Sequence, residues 1–188
     1  YNNGYGLSKD MKILKKNLEN IYTDLEIIHC DFYDHKIRRA DINIFFEIIS
    51  NILIPKAKYN ILIPNQEWFY KTWTPYLENI DLVLTKTQYC QKIFEKNSNS
   101  QYLGWESEDL LNNKEKNYNE FFHCCGKSIY KQTQFIIDNW KESFPKLTIL
   151  YQKDKIKLNC PEKTNIEYLC ERKNNDEIKE IMNQKGIH

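Results

Sequence analysis

The stretch Gly126-Lys127-Ser128-Ile129-Tyr130-Lys131 is the part of the chain best suited to bind an anion. It lies between an apolar run (FFHCC) and a helix-like run (IYKQTQFIIDNW). Open α/β sheets bind ligands at such strand-to-helix turns. Gly126 permits a sharp turn, and Lys127 and Lys131, four residues apart, share a face if the helix starts here. Two ammonium groups beside a helix N-terminus suit a diphosphate. The G-x-x-x-x-G-K-[ST] spacing of a P-loop is absent. Asn3-Gly4-Tyr5-Gly6-Leu7-Ser8 is a second glycine turn opening a helix, where Gly4 and Gly6 would let backbone N–H groups approach an anion. Its plain alternative is an ordinary turn, just as solvated lysines are the alternative for Lys127 and Lys131.

Two further segments follow apolar runs that read as strands. Pro64-Asn65-Gln66-Glu67-Trp68-Phe69 offers Asn65 as a polar contact, Glu67 as a base or hydroxyl acceptor and Trp68 as a sugar platform. Thr85-Lys86-Thr87 offers Lys86 in the same way. Against these stand a helix-terminal role for Glu67, a core role for the aromatics and a capping role for Thr87. His29, His35 and His123 are dispersed, with no metal-ligand or nucleophile spacing, so no metal site is expected. His29 and His123 lie inside strand runs and read as core.

Positioning these residues requires alternating strands and helices. Leu7, Met11, Leu14, Leu18 and Ile21 recur at helical spacing, predicting a helix over 7–20. Strands are predicted over 25–30 (LEIIHC), 42–46, 59–63, 82–84 and 101–104, with a helix over 88–96. After a polar stretch the alternation resumes. Strands are expected over 121–125, 147–151 and 165–169, and helices over 129–144 and 176–184. Gly186 is expected as a helix cap and Ile187-His188 as a strand's first step. Continuous β-branched runs separated by helices imply parallel sheets covered on both faces. The fold class is therefore α/β with two Rossmann-like lobes. The expected division is a lobe over 1–108, a linker over 109–118 and a smaller lobe over 119–188. A doubly wound first lobe also needs a strand before the Asn3–Ser8 turn. Without it a sheet edge is open, to be filled by another element or by more of a longer chain.

The 188 residues carry 27 basic and 26 acidic side chains for a net charge of +1, which removes the electrostatic case for nucleic-acid binding. The chain holds 24 Ile, 24 Lys and 21 Asn against two Ala and three Arg. That bias follows A/T-rich codons, so a lysine at any one position is weak testimony to function. Six cysteines without a C-x-x-C pair are not expected to form a disulfide framework. Cys124 and Cys125 are expected to be buried, reduced and inert. The longest apolar stretch, Ile42 to Ile54, contains Glu47 and is too short for a bilayer span. With no leader-like start, a reducing cytoplasmic setting is expected.

In their order along the chain, these pieces resemble glycosyltransferases of the GT-B fold, nearest to the family 4 type. The resemblance rests on the Asn3–Ser8 turn, DINIFFE (41–47), NILIPNQEWF (60–69), DLVLTKTQYCQKIF (81–94), YLGW (102–105) and FFHCCGKSIYKQTQFIIDNW (121–140). The last is similar to the family's G-[RK]-x-x-x-K-G turn and helix. The resemblance implies that Lys127 and Lys131 hold the diphosphate of a nucleoside-diphosphate sugar, with the Asn3–Ser8 turn facing the same cleft. It further implies metal-free transfer to an acceptor of unspecified kind, without a separate cofactor. Gln132 stands where the family has Gly, a change expected to be tolerable within a helix. The resemblance makes 1–108 the acceptor-side lobe and 119–188 a partial, incomplete nucleotide-binding lobe, because the family's E-x7-E segment would begin just after His188. This leaves a rival reading, a non-catalytic nucleotide or nucleotide-sugar binder whose second lobe is completed by a protein partner or a further chain segment.

Overall fold

A computed structural model of the chain describes residues 6–30, 38–107, 109, 112, 115–126 and 128–187. Gly4, Lys127, His35 and His188 lie outside them. The chain divides into two compact units, Tyr1–Ser107 and Glu108–His188.

The first unit begins with helix α1 (Gly6–Ile21), followed by strands β1 (Ala40–Phe46), β2 (Ala57–Ile63) and β3 (Leu82–Thr85), helix α2 (Gln88–Phe94) and strand β4 (Ser100–Tyr102). The four strands are parallel and lie in chain order, β1-β2-β3-β4. Their pairing aligns Phe45 with Leu62, Phe46 with Ile63, and Leu62 with Val83. Because side chains alternate across a strand, consecutive residues enter two different cores. Phe45, Leu62 and Val83 pack with Ile49, Leu77, Ile80, Cys90 and Phe94. Phe46 and Ile63 pack with Leu7 of α1, flanked by Met11, Leu14, Leu84, Leu103 and Trp105. A sheet apolar on both sides is thus the direct product of continuous apolar runs such as INIFF and NILI.

Between β2 and β3 the chain forms 3-10 turns over Gln66–Trp68 and Lys71–Asn79 rather than an α-helix. Pro75 lies inside the longer one, where it has no N–H to donate to a helical ladder.

One expected strand does not form. Leu25–Cys30 has no regular structure, and Leu25 and Ile28 remain 46% and 42% exposed. A strand exists only through lateral pairing, and among the described residues no strand pairs with this run. The outer edge of β1 is likewise unpaired among the described residues, with Ile42 54% and Ile44 36% exposed.

The second unit contains β5 (Glu120–Gly126), α3 (Thr133–Asn139), β6 (Lys146–Tyr151), β7 (Ile166–Leu169), α4 (Asn175–Lys185) and β8 (Gly186–Ile187), in a parallel sheet ordered β7-β6-β5-β8. Cys125, Leu147, Ile149, Tyr151 and Ile166 form its core with Ile137 of α3, flanked by Trp140. Gly186 pairs with Glu120 in β8 instead of ending as a free cap. Residues of the expected linker are tied into this unit. The Asn117 N–H donates to the Gln184 carbonyl (3.1 Å), and the Asn112 N–H donates to Asn183 Oδ1 (3.0 Å).

The expected helix over 129–144 is broken. Ile129–Lys131 is a single 3-10 turn, Gln132 adopts φ 54°, and α3 runs only over Thr133–Asn139. Gln132 is therefore not within a helix, and its left-handed backbone separates Lys131 from α3. At seven residues α3 is too short to supply the helix-terminal anion site expected for Lys131.

Candidate functional site

The C-terminal ends of the first unit's strands gather five polar or aromatic side chains from separate elements. Each polar strand-end group is held by the next. Lys86 directly follows β3, and its Nζ donates to Asp10 Oδ2 of α1 (2.5 Å) and to Asn65 Oδ1 beyond β2 (3.0 Å). The Asn65 amide Nδ2 in turn donates to Glu47 Oε2, at the end of β1 (3.0 Å). The ammonium also stands 5.1 Å from the centre of the Trp105 ring, which packs edge-on against Phe46. The Lys86 and Asp10 side chains are only 17% and 21% exposed, so the pair is shielded from much of the screening that weakens surface ion pairs.

Glu47 is the unusual member. Its backbone has φ 66°, in the left-handed region that a residue with a Cβ rarely occupies. The Ile48 N–H donates to the Phe46 carbonyl (2.7 Å), closing a three-residue γ-turn centred on Glu47, while the Glu47 N–H still donates to Ile63 (3.0 Å). Such strain persists only where surrounding structure enforces it, and it concentrates at functional sites. Partial burial raises the Glu47 pKa above the ordinary carboxylate value, against the opposing pull of the Asn65 hydrogen bond and the Lys86 charge. A half-buried carboxylate, an amide and an ammonium on one strand edge can accept and donate hydrogen bonds to a hydroxyl-rich ligand, with Trp105 as an apolar wall.

The expected residues Asn65 and Lys86 meet in this chain of contacts. Glu67 lies in the adjacent 3-10 turn and is exposed, close enough for its charge to raise the Glu47 pKa. Gly6 is the first residue of α1, with open space where a Cβ would be. Among the described residues, no close backbone approach requires a glycine there. Thr87 caps α2, its Oγ1 accepting from the Cys90 N–H (3.0 Å).

Asp10, Glu47 and Trp105 are the members that sequence reading missed as site residues. Two signals could have found them. Asp10 falls on the Leu7–Met11–Leu14 stripe of α1, where a charge is out of place. Glu47 ends a strand just as Asn65 and Lys86 follow theirs, so the same positional rule applied to it.

The corresponding end of the second unit is built differently. Lys131 Nζ donates to the Cys124 carbonyl at the end of β5 (2.6 Å). Gly126 has φ 60°, and the register of β5 against β6 shifts between Cys124 and Gly126. His123 Nε2 and Thr133 Oγ1 are 3.0 Å apart. Burial, helped by the Lys131 charge, lowers the His123 pKa. Cys125 is buried as expected, but Cys124 is only half-buried, because its side chain faces away from the α3 core that Cys125 enters. Among the described residues, no cluster of three or more His, Cys, Asp or Glu is placed to hold a metal, and no helix is long and apolar enough to cross a membrane. No protein-family model matches the sequence, and no curated protein matches it.

Proposed function

We propose that the chain is a glycosyltransferase, or part of one, that moves a sugar from a nucleoside-diphosphate donor to a hydroxyl acceptor. The observation that carries this reading is the Asp10–Lys86–Asn65–Glu47 chain at the C-terminal edge of a parallel sheet, with strain stored at the Glu47 carboxylate. In this reading Glu47 accepts a hydrogen bond from the sugar or acceptor hydroxyl, and Lys86 and Asn65 orient it. Glu67 is a further carboxylate near the same edge.

Support from the second unit is geometric. The resemblance gives glycine to both ends of the G-[RK]-x-x-x-K-G turn, and both positions, Gly126 and Gln132, have left-handed backbone, φ 60° and 54°. Lys131 puts a cation at the end of β5, where a leaving diphosphate would develop charge. Lys127 would add a second one.

The rival, a binder of nucleotides or nucleotide sugars without turnover, draws on the same Lys131 contact. Its ammonium already serves a backbone carbonyl, so its role can be to hold the turn rather than a diphosphate. The two readings separate in one experiment. The chain is screened by thermal shift with uridine, guanosine and adenosine diphosphates and their sugars, and the best donor is then assayed for diphosphate release with and without Glu47→Gln. Release that falls at least tenfold in Glu47→Gln while donor binding persists supports transfer. Binding without release supports the rival, and no shift with any diphosphate rejects both.

A further inference from the structure

A second chemically competent group lies in the second unit, independent of the glycosyl-transfer reading. Extending the β6–β7 register by one residue beyond Leu150 and Leu169 brings Cys170 beside Tyr151. Both side chains then share the face that carries Ile149 and Tyr168. The Tyr151 hydroxyl lies 3.3 Å from Cys160 Sγ. Cys160 and Cys170 together raise the pKa of this phenol, so one tyrosine neighbours two thiols that are ten residues apart in the chain.

The segment carrying Cys160 is held from two sides. Gln134 of α3 accepts from the Asn159 N–H (2.9 Å) and donates to the Asn159 carbonyl (3.2 Å). The Tyr168 hydroxyl donates to the Pro161 carbonyl (3.3 Å), two residues before Cys170 on the same strand line. Cys160 Sγ also donates weakly to the Leu158 carbonyl (3.8 Å). Cys170 is exposed and Cys160 half-buried, whereas Cys90 and Cys125 are buried. The six cysteines are all free thiols.

We propose that Cys160 and Cys170 form a redox-active dithiol, the modification site at which a small-molecule disulfide oxidises this protein. With oxidised glutathione, the Cys170 thiolate attacks one sulfur, forms a mixed disulfide and releases one glutathione thiolate. The Cys160 thiolate then attacks the Cys170 sulfur, breaking its bond to glutathione and releasing the second. The two thiol protons end on the two glutathione molecules, and two electrons reduce the oxidant. The Tyr151 hydroxyl gives up its contact with Cys160 as the S–S bond forms, and the bond ties the Cys160 segment to the end of β7.

Peptide mapping of the reduced full chain, after a timed exposure to oxidised glutathione and a thiol-alkylating quench, tests this. The peptides bearing Cys160 and Cys170 are expected to be joined before any other cysteine is modified. Cys160→Ser is expected to stop at a glutathione adduct on Cys170, and Cys170→Ser to leave Cys160 reduced over the same time. Tyr151→Phe, which deletes the oxygen that engages Cys160 Sγ, is expected to cross-link severalfold faster. Far-UV circular dichroism verifies that each variant is folded. A lasting glutathione adduct on Cys170 of the wild-type chain, with Cys160 reduced, would overturn the proposal. So would cross-links spread equally over Cys30, Cys124, Cys160 and Cys170, or a Tyr151→Phe rate at or below wild type.

Discussion

The two units solve the same structural problem, a parallel sheet with a polar C-terminal edge, by different means. In the first, side chains from several elements meet. Asp10, Glu47, Asn65 and Lys86 satisfy one another at 2.5 to 3.0 Å, with Trp105 beside them. In the second, the backbone shapes the edge through a register shift at Cys125, left-handed Gly126 and Gln132, and a lysine donating to the Cys124 carbonyl. Half-buried side-chain networks are costly to break because each deletion strands a partner. A backbone-shaped edge tolerates side-chain change and is sensitive instead to which residues can adopt positive φ.

The largest test of the comparison concerns the separate cores. Leu62 and Ile149 are both 0% exposed, one in each unit's core. Leu62→Ala and Ile149→Ala are each expected to cost about 3–4 kcal/mol. The loss should fall on the unfolding transition of the mutated unit alone, as followed by hydrogen exchange resolved to peptides. A single transition shifted equally by both variants would merge the units.

Breaking the first unit's network comes next. Lys86→Met leaves Asp10 without its cation and Asn65 Oδ1 without its donor. The expected loss is about 2–3 kcal/mol, below that for a fully buried pair because both side chains keep some solvent contact. Asp10→Asn in the same chain should recover part of it, which a urea-denaturation double-mutant cycle would read directly. An additive cycle would mean the two side chains do not interact.

Opposite signs are expected at the two left-handed positions of the second unit. Gly126→Ala should destabilise by about 1–2 kcal/mol through backbone strain alone, since open space surrounds its Cβ position. Gln132→Gly should instead stabilise by up to about 1 kcal/mol by relieving the same strain. Thermal denaturation of the two variants side by side measures both. A loss in Gln132→Gly would assign that residue a side-chain role.

The smallest effect is a pH dependence carried by Glu47. Its folded pKa is raised above the unfolded carboxylate value, so the folded state holds the proton more tightly. This contribution to stability is fully present below the unfolded value and is lost as pH rises through the folded one. Over that weakly acidic window Glu47→Gln should remove this part of the slope, seen as a flatter profile of denaturation midpoint against pH. An unchanged profile would place Glu47 in ordinary solvent.

Much of the fold was legible in the residues. Strands β1, β2, β3, β5, β6 and β7 sit on apolar runs already marked as strands, because continuous β-branched segments are stable only when covered on both faces. Asn65 and Lys86 were legible as strand-end polar residues. The failures share a cause. LEIIHC has the composition of a strand, yet the described residues offer it no neighbour to pair with. IYKQTQFIIDNW has helical spacing, but spacing cannot reveal that Gln132 turns left-handed. Glu47 follows the run 42–46 read as a strand, and nothing in its type marks the centre of a γ-turn, because that turn is held from across the sheet by its hydrogen bond to Ile63.

By itself, then, the order of apolar runs, turns and charges determined an α/β chain with parallel strands and polar residues at their ends, since burial and periodicity are local properties of the residues. Only the tertiary structure decided which of those residues meet. It set Asp10 on Lys86, Lys86 on Asn65 and Asn65 on Glu47, and it brought Cys160 to the phenol oxygen of Tyr151, with Cys170 the neighbour of that tyrosine across the strands. The physical reason is that a hydrogen bond, an ion pair or a strand edge is a property of two partners distant in the chain. Their meeting depends on how β-sheet register and the crossovers between strands bring them together.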